Sequence, residues 1–474
     1  MSRSSSRSLA VVVMAAGKGK RLKSKTPKVL HPVCGRPTLW HVLDAARRVR
    51  PDRLIVVVSH GADDVVAAVG SWGLKPAPVF VDQGNPMGTG HAVMVAEQAI
   101  GRSRDVLVLP GDNPLITGAM LKDLLRVHRR KDVVATMQAT ELANARGYGR
   151  IVRDGADFVR IAEDRDATAA EKRIREVATS VYAFDRKALF GALPLVGTDN
   201  SQQEYYLPDV LGILADKGEP VAVALADFGG AMDINSRASL ARVTAAMRER
   251  INAEHMDRGV TITDPAQTFI DVGVRIGADS VVLPNTFLEG DTRIGAGCVV
   301  GPSTRIVDCR VADGAEVTFS VVKGSRIGAN ACVGPYAHLR PGTVLAADTK
   351  AGSFVEIKGS TVGRGSKVPH LSYVGDAAIG EDTNIGAATV TVNYDGYTKH
   401  RTEIGDQVRI GSDTMLVAPV RVGKGAVTGA GSVITKDVPP GALAVERGEQ
   451  RIVKGYRERK DAERAKAKRA KKGG

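Results

Sequence analysis

The chain has 474 residues, which is too long for one ordinary hydrophobic core, so two domains are expected. Hydrophobic residues make up 43% and charged residues 25%, as in soluble globular proteins, and no apolar run approaches the roughly 20 residues of a membrane span. The formal charge is +14, but residues 451–474 carry eleven Lys or Arg against three Asp or Glu. We therefore predict a solvated basic tail at 451–474. Attraction of this tail to nucleic acid or a membrane is the alternative, although no nucleic-acid partner is expected.

Cysteine usage and the first residues both bear on the compartment. The four cysteines lie far apart and form no C-x-x-C pair, so neither a zinc site nor a disulfide framework is expected. Residues 1–17 combine two arginines with a short apolar run, as a signal peptide does. The same run fits a buried first strand that ends in a glycine turn, and residues 17–30 continue that second pattern. We therefore predict a cytoplasmic protein.

Apolar runs alternate with helical patterns through the first half of the chain. This alternation is typical of an α/β, Rossmann-like domain with a mostly parallel sheet, which we assign to residues 1–234. Ligands of such sheets bind beyond the carboxyl ends of the strands, so a site is expected at loops 15–19 and 110–112. The predicted strands are Leu9–Met14, Leu54–Val58 and Val106–Leu109, and the helices between them include Thr38–Val49 and Ala119–His128.

Residues 235–261 have the pattern of a helix that joins two domains. Leu240, Val243, Met247 and Ile251 form one apolar stripe, and Gly259 is a natural stop. Some twenty helical residues span about 30 Å, which is long enough for a linker.

Beyond residue 262 aliphatic residues recur at every sixth position. The first run is Ile276, Val282, Leu288, Ile294, Val300 and Ile306. This period predicts a left-handed parallel β-helix of hexapeptide repeats over residues 262–450, with three repeats in each coil. Segments 350–358 and 393–399 place polar residues and glycine where repeats should be, so both are predicted to interrupt the β-helix.

A glycine-rich loop follows the first predicted strand. It reads Ala15-Ala16-Gly17-Lys18-Gly19-Lys20-Arg21, and Thr26-Pro27-Lys28 lies just beyond. Glycines let backbone N–H groups approach a triphosphate, while Arg21 and Lys28 supply positive charge where pyrophosphate leaves. The run resembles the signature of sugar-1-phosphate nucleotidyltransferases, which implies that Ala16, Gly17 and Lys28 bind the nucleotide.

Another loop resembles the part of uridyltransferases that reads the uracil base. It combines Gln83 with the run Met87-Gly88-Thr89-Gly90-His91. The resemblance implies uridine contacts from Gln83, Gly88 and Thr89.

Metal and sugar contacts follow from the same resemblance. Asp112, in Pro110-Gly111-Asp112, and Asn235 match the family's two magnesium ligands, and their oxygen atoms suit that ion. Gly149, in Gly147-Tyr148-Gly149-Arg150, and Glu163 match contacts to N-acetylglucosamine-1-phosphate.

Nearly the whole chain resembles the family of bifunctional N-acetylglucosamine-1-phosphate uridyltransferases and glucosamine-1-phosphate acetyltransferases. The resemblance implies acetylation of glucosamine-1-phosphate by acetyl-coenzyme A, followed by transfer of UMP from UTP to the acetylated sugar phosphate. It also implies Mg²⁺ as cofactor and a homotrimer whose acetyltransferase sites form between subunits. The most distinctive matches are Leu339-Arg340-Pro341-Gly342, Phe354-Val355-Glu356-Ile357-Lys358, His370-Leu371-Ser372-Tyr373-Val374-Gly375-Asp376, Asn393-Tyr394-Asp395-Gly396 and Gly411-Ser412-Asp413-Thr414.

The resemblance assigns roles in the second domain residue by residue. His370 is the candidate base that deprotonates the attacking amine, because histidine titrates nearest neutrality. The sugar phosphate is assigned to Arg340, Lys358 and Lys399. The sugar is assigned to Tyr373, Asn384 and Asn393. The acetyl-coenzyme A groove is assigned to Asn393, Tyr394, Ser412, Ala430 and Arg447.

One departure bears on the uridyltransferase reaction. The family pattern has an asparagine where this chain has Ala178, and that amide would contact the amino sugar. Its loss removes a hydrogen bond worth about 1 kcal/mol, so an acetyltransferase with an impaired uridyltransferase domain is one alternative. A second is a nucleotidyltransferase for another sugar phosphate, whose β-helix serves only assembly. The third is a polyanion-binding scaffold that acts through its basic tail.

Overall fold

The computed structural model describes residues 7–226 and 232–470. Residues 1–6 and 227–231 of the predicted first domain, and residues 471–474 of the predicted tail, lie outside the described residues. The chain divides into two compact units. The first unit runs to Asp257 and also takes in Pro265–Val274, whereas the second holds Arg258–Asp264 and the residues from Arg275 onward.

The described residues of the first unit form a nine-stranded sheet with helices packed against it. Its strands are β1 Leu9–Met14, β2 Pro32–Val33, β3 Arg36–Pro37, β4 Arg53–Val58, β5 Val79–Asp82, β6 Asp105–Pro110, β7 Ala135–Glu141, β8 Arg150–Asp154, β9 Asp157–Ala162, β10 Glu176–Asp185 and β11 Val221–Leu225, of which β2 and β3 form a separate hairpin. The helices are α1 Thr38–Arg47, α2 Ala62–Gly70, α3 Thr89–Val95, α4 Glu97–Ile100, α5 Gly118–His128, α6 Arg186–Ala192, α7 Asp209–Asp216 and α8 Arg237–Met256. Short 3-10 helices occupy Lys20–Leu22, Lys28–Leu30, Glu171–Arg173, Leu193–Leu195 and Pro265–Gln267, and a further strand covers Thr268–Ile270.

The sheet has the order β11-β7-β10-β6-β1-β4-β5, with β8 beside β10 and β9 beside β8. β1 pairs in parallel with β4 and β6, and it is central because its sequence LAVVVM lets both faces be buried. Ala10 and Val12 pack into one hydrophobic cluster, whereas Val11 and Val13 pack into another, as strand alternation requires. The Rossmann-like fold class is confirmed.

Helix α8 covers most of the segment that the sequence predicts as a linker helix. It begins with a capping box in which the side chains of Ser236 and Ser239 bond each other's backbone N–H groups. Val243, Met247 and Ile251 are buried along one stripe. The helix belongs to the first unit, and the boundaries assigned to the functional domains remain predictions.

The second unit is the predicted left-handed β-helix, and its short strands form three parallel sheets. One sheet contains Thr261–Ile262, Val281–Val282, Val299–Val300, Glu316–Val317, Cys332–Val333, Lys350–Ser353, Lys367–His370, Asn384–Ile385, Arg409–Ile410, Val427–Thr428 and Leu443–Ala444. Another contains Thr286–Glu289, Arg305–Val307, Val321–Lys323, His338–Leu339, Glu356–Lys358, Tyr373–Gly375, Val390–Val392, Met415–Val417 and Val433–Ile434. The last contains Arg275–Ile276, Arg293–Ile294, Arg310–Val311, Arg326–Ile327, Val344–Leu345, Thr361–Val362, Ala377–Ile379, Thr402–Ile404 and Val420–Val422.

Aliphatic side chains from successive coils stack inside the β-helix. Val282 is paired with Val300, and Leu288 is paired with Ile306 one coil further on. All four are fully buried. Each coil therefore covers the apolar layer of its neighbour, which explains why the six-residue period persists.

The prediction that 350–358 interrupts the β-helix is wrong. Ala351 and Ile357 are buried, and they pair with Val333 and Leu339 of the preceding coil. Small and aliphatic residues therefore keep the inward positions although their neighbours are polar. The segment 393–399 does leave the coil, between the strands Val390–Val392 and Thr402–Ile404.

The basic tail contains one helix, α9, at Tyr456–Ala470. Side chains 451–469 are all exposed. Among the described residues, we find no helix with the length and apolar character needed to cross a membrane.

Candidate functional site

The loops after β1, β5 and β6 meet around one cavity in the first unit. Ala15 N donates to Val57 O at 2.8 Å and Gly111 N donates to Met14 O at 2.9 Å, so the strand ends hold the loops together. The cavity has a volume of about 580 Å³. The predicted site residues that line it are Ala16, Gly17, Lys28, Gln83, Gly88, Thr89, Asp112 and Asn235.

The glycine loop forms the side of this cavity that follows β1. Gly19 has a φ of +57°, and a Cβ there would lie 2.8 Å from Lys28 Cβ, so glycine is required to let Lys28 approach. Gly17 and Lys18 are exposed and line the cavity. Arg21 is exposed on the following 3-10 turn and, among the described residues, is not part of the lining.

The loop around Gln83 is fixed by its own hydrogen bonds. Gln83 is buried, and its Nε2 donates to Gly88 O at 3.0 Å. Gly88 has a φ of +104°, and a Cβ there would lie 2.5 Å from Tyr205 O. Thr89 Oγ1 accepts a 3.0 Å hydrogen bond from Leu207 N. The loop therefore presents backbone polar groups in a fixed arrangement, as recognition of a base requires.

Lys28 lies between the two predicted metal ligands. Its Nζ donates to Asn235 Oδ1 at 2.7 Å and forms an ion pair with Asp112. Asn235 N donates to Ser239 Oγ at 2.8 Å, and Ile234 N donates to Asp112 O at 3.0 Å. The start of α8 is thus held against the loop after β6. Side-chain oxygens of Asp112 and Asn235 converge on one positive charge, so this donor set fits a hard cation.

Asp233 lies beside these ligands and is absent from the sequence prediction. It lines the same cavity, and its Oδ1 is buried with no hydrogen-bond partner among the described residues. Burial, together with the Asp112 carboxylate, raises the pKa of Asp233 to about 8, against the effect of Lys28. The sequence does contain a signal that could have identified this residue. Asp233 and Asn235 are two residues apart, so their side chains face the same side of an extended segment.

The predicted sugar contacts meet around β10. Ala178 N donates to Gly149 O at 3.0 Å, and a Cβ on Gly149 would lie 3.4 Å from Glu163 Oε1. Ala178 is buried in one of the two hydrophobic clusters. Burial, with smaller effects from Asp209 and Asp166, raises the pKa of Glu163. Gly149 and Glu163 therefore lie together but, as far as the described residues show, outside the lining of the 580 Å³ cavity.

In the second unit, the predicted phosphate ligands Lys358 and Lys399 lie near the Asp376 carboxylate, and Arg340 Nη1 is 2.9 Å from Glu356 Oε1. Lys358 Nζ is 3.6 Å from Asp376 Oδ2, which also accepts a 2.6 Å hydrogen bond from Asn393 Nδ2. Contact with Lys358 lowers the pKa of Lys399, and Arg340 adds to the repulsion. Cations that the fold holds together in this way are typical of an anion site.

The predicted sugar ligands adjoin this cluster. A Cβ on Gly375 would lie 2.5 Å from Tyr373 Oη and 2.8 Å from Asn393 Nδ2, so both polar groups lie over the glycine. Tyr394 is exposed, and its Oη donates to Gly396 O at 2.7 Å. The segment that leaves the coil thus brings Asn393 and Tyr394 to the polar face that Tyr373 occupies.

His370 is the last residue of its strand, and its side chain is exposed. Ser372 Oγ donates to His370 O at 2.7 Å, which fixes the corner between His370 and Tyr373. Asn384 lies on the neighbouring strand of the same sheet, where it pairs with Lys367. One coil and its neighbour therefore present all three predicted residues, while the imidazole of a single chain stays open to solvent.

Three residues assigned to acetyl-coenzyme A follow one another along successive coils. Gly431 N donates to Ser412 O at 2.8 Å, and Arg447 Nη1 donates to Ala430 O at 3.2 Å. Ser412, Ala430 and Arg447 are all exposed. Such a row along the axis of the β-helix suits an extended ligand.

An exposed apolar column occupies one corner of the β-helix, and we call Phe319, Tyr336, Phe354 and Leu371 the corner column. They are 38, 57, 60 and 62% exposed. Ring centroids lie 5.7 Å apart for Phe319 and Tyr336 and 5.3 Å apart for Tyr336 and Phe354. All four have φ between 47 and 60°, which bulky residues rarely adopt. The column ends beside His370, and exposed apolar surface of this kind marks a contact region.

Comparisons with known proteins match both units of the chain. A MobA-like NTP transferase domain matches residues 11–225, and a bacterial transferase hexapeptide model of six repeats matches residues 401–436. Proteins named bifunctional protein GlmU from Streptomyces avermitilis, Heliobacterium modesticaldum and Mycobacterium tuberculosis are 49, 48 and 47% identical to this chain. The alignments cover 98, 95 and 95% of this chain and 97, 98 and 92% of those relatives.

The chain belongs to the GlmU family of bifunctional proteins. The resemblance found in its motifs is confirmed. As a GlmU protein it is both a nucleotidyltransferase and a glucosamine-1-phosphate acetyltransferase. This excludes the alternative in which the β-helix serves only assembly, and nothing in the comparisons favours an impaired uridyltransferase.

Proposed function

We propose that the two units catalyse consecutive reactions on one sugar phosphate. The second unit transfers an acetyl group from acetyl-coenzyme A to the amine of glucosamine-1-phosphate. The first unit then joins that product to UMP from UTP, which gives UDP-N-acetylglucosamine and pyrophosphate. The observation that carries the proposal is the convergence of Lys28, Asp112 and Asn235 in a cavity that Gln83 and Gly88 also line.

Nucleotide binding uses the two fixed loops of the first unit. Gln83, Gly88 and Thr89 contact the uracil, because the hydrogen bonds within this loop keep its polar groups in place. Ala16 and Gly17 present backbone N–H groups to the phosphates of UTP.

Asp112 and Asn235 hold Mg²⁺ in this proposal. Carboxylate and amide oxygens are ligands that Mg²⁺ accepts, and the buried Oδ1 of Asp233 nearby has no hydrogen-bond partner among the described residues. When bound, the ion neutralises charge on the transferring phosphates. Within the described residues, no three His, Cys, Asp or Glu side chains cluster closely enough to hold a metal ion. The proposed site therefore combines carboxylate and amide oxygen ligands.

Uridylyl transfer then requires that the two substrates are oriented and that the charge on the departing pyrophosphate is stabilised. A phosphate oxygen of N-acetylglucosamine-1-phosphate attacks the α-phosphorus of UTP, and the bond from that phosphorus to the β-phosphate oxygen breaks. Lys28 and Arg21 stabilise the departing pyrophosphate. Gly149 and Glu163 orient the sugar, with the Glu163 carboxylate accepting hydrogen bonds from its hydroxyl groups.

Acetyl transfer requires removal of a proton from the attacking amine. His370 accepts this proton as the nitrogen attacks the thioester carbonyl, and the carbon–sulfur bond then breaks to release coenzyme A. The cation cluster of Arg340, Lys358 and Lys399 binds the phosphate. The sugar is oriented by Tyr373, Asn384 and Asn393. Acetyl-coenzyme A lies along Tyr394, Ser412, Ala430 and Arg447.

A homotrimer completes the acetyltransferase site. His370 is exposed in one chain, and the corner column that ends beside it offers an apolar surface for a neighbouring β-helix. Hexapeptide-repeat domains commonly trimerise. The enzyme works in the cytoplasm, where UTP and acetyl-coenzyme A are available and where its four cysteines remain free thiols.

Pyrophosphate release tests the substrate assignment directly. With UTP and Mg²⁺, we expect strong preference for N-acetylglucosamine-1-phosphate over glucose-1-phosphate, and loss of turnover when a chelator removes the metal. Equal rates with the two sugars would contradict the assigned substrate. Absence of turnover with both would contradict the uridyltransferase reaction and leave the acetyltransferase as the working activity.

A further inference from the structure

The positive side chains that line the cavity of the first unit are offset by carboxyl groups. Among its described lining residues, Lys18 and Lys28 face the carboxyl groups of Asp112, Glu204 and Asp233. A nucleoside triphosphate brings several negative charges of its own, so the cavity needs further positive charge before it can hold this substrate. Asp233 increases that need, although no role has been assigned to it so far.

Asp233 stands where the two proposed metal ligands meet. Ile234 N donates to Asp112 O at 3.0 Å, so the segment that contains Asp233 runs against the loop that carries Asp112. Ile234 itself is fully buried, whereas Asp233 and Asn235 both line the cavity. In an extended chain, alternate side chains face the same side, so the Asp233 and Asn235 side chains both face the cavity.

The carboxylate of Asp233 is incompletely satisfied. Its Oδ1 is buried and has no hydrogen-bond partner among the described residues. Lys28 is the cation that acts on Asp233, but its ammonium already bonds Asn235 at 2.7 Å and pairs with Asp112. A buried carboxylate oxygen without a partner destabilises a protein unless a cation or a donor reaches it.

We propose that Asp233 is a third protein ligand of the divalent cation, together with Asp112 and Asn235. The inference rests on the proposed function, which assigns the cation to the other two residues. A set of two carboxylates and one amide binds a divalent ion more tightly than one carboxylate and one amide. We therefore expect the ion to bind in the absence of nucleotide, and Lys28 to be released from Asp112 and Asn235 to contact the phosphates.

Mn²⁺ binding to the full-length protein without nucleotide tests this assignment. Electron paramagnetic resonance gives the concentration of free Mn²⁺, and we expect Asp233→Asn to raise the dissociation constant by about tenfold. Asp209→Asn is a matched control, because it removes the same charge from a partly buried carboxylate that acts on Glu163 rather than on Lys28. Its dissociation constant should change by less than about twofold, since the charge it removes is more distant.

A second measurement distinguishes direct ligation of the ion by Asp233 from the effect of a more distant negative charge. Luminescence lifetimes of bound Tb³⁺ in H₂O and D₂O count the water molecules on the ion, and Asp233→Ala should add about one water. Without metal, Asp233→Asn should melt at or above the temperature of the wild type, because an unpaired buried carboxylate has been removed. Addition of Mn²⁺ should then raise that temperature less than in the wild type.

The outcomes distinguish this inference from the proposed function beneath it. If Asp112→Asn weakens Mn²⁺ binding but Asp233→Asn does not, and the Tb³⁺ hydration is unchanged in Asp233→Ala, then Asp233 is no ligand. If Asp112→Asn also leaves Mn²⁺ binding unchanged, the cation site itself is wrongly placed, and both statements are overturned.

Discussion

The two sites differ in how much of each a single chain supplies. In the first unit, strand ends converge, so Lys28, Asp112 and Gln83 meet in a cavity that one chain encloses. In the second unit, His370 and Ser412 lie on the open surface of a β-helix. A doubly wound sheet creates a crevice by its own topology, whereas a β-helix presents flat faces and corners. We therefore propose that the first reaction of the sequence depends on assembly and that the second does not.

Two substitutions should separate the reactions completely. Asp112→Ala removes the proposed charged metal ligand and should lower uridylyl transfer about a thousandfold, because charge on the phosphates is no longer neutralised. His370→Ala removes the proposed base and should lower acetyl transfer by about a hundredfold to a thousandfold. Each variant is the control for the other, with both activities assayed and N-acetylglucosamine-1-phosphate supplied for uridylyl transfer. A variant that lowers both activities would show that the sites are not independent.

Breaking the assembly should remove one activity and spare the other. The double substitution of Tyr336→Asp and Phe354→Asp places charge in the corner column, so we expect a trimer to become a monomer at micromolar concentration. Acetyl transfer should fall at least about tenfold, while uridylyl transfer stays within about twofold of the wild type, because its cavity comes from one chain. Sedimentation velocity and the two assays check this.

Val344→Asp is the matched control for the corner column. Val344 is also exposed, but its strand lies in the β-helix sheet that does not adjoin the corner column. The strand contains none of the aromatic residues of the column. We expect it to remain a trimer with both activities. A wild-type protein that sediments as a monomer and still acetylates at full rate would contradict the shared site.

The elements that the sequence predicted well are those encoded by local pattern. β1 is an unbroken apolar run followed by glycine, and each coil of the β-helix repeats an aliphatic residue at a fixed spacing. The error at 350–358 arose because the surrounding polar residues masked Ala351 and Ile357, which keep the inward positions. A repeat is defined by what fills the interior, and polar neighbours on the outside do not end it.

The features that the sequence did not predict depend on contacts between distant segments. Asp233 becomes notable only once the fold places it beside Asp112, because an isolated aspartate before a helix is usually solvated. Phe319 and Tyr336 are aligned by the length of a coil, which the sequence alone does not fix to the residue. For Ala178, the sequence identified the missing amide, but its burial beside Gly149 required the fold.

The buried position of Glu163 predicts that sugar binding is sensitive to acid. Burial, with Asp209 and Asp166 nearby, raises the pKa of Glu163, and in the proposed function its carboxylate form binds the sugar. The KM for N-acetylglucosamine-1-phosphate should therefore rise by about tenfold per pH unit below that pKa, starting at a higher pH than an ordinary glutamate would give. Asp166→Asn removes a repelling charge, so the rise should begin at a lower pH. An unchanged pH profile in Asp166→Asn would contradict the role of this carboxylate.

The smallest expected effect concerns Ala178, where the motif resemblance implies that an asparagine is usual. Ala178→Asn should lower the KM for N-acetylglucosamine-1-phosphate about fivefold, which corresponds to one hydrogen bond of about 1 kcal/mol, with little change in kcat. Ala178→Leu is the control, because it places a side chain with the same number and branching of non-hydrogen atoms in the same buried strand without an amide. A lower KM in the asparagine variant alone would mean that the chain binds its sugar with one hydrogen bond fewer than its relatives. If both variants lose stability at an unchanged KM, Ala178 acts as part of the hydrophobic core, and the sugar is held by Glu163 and its neighbours without any contribution from this position.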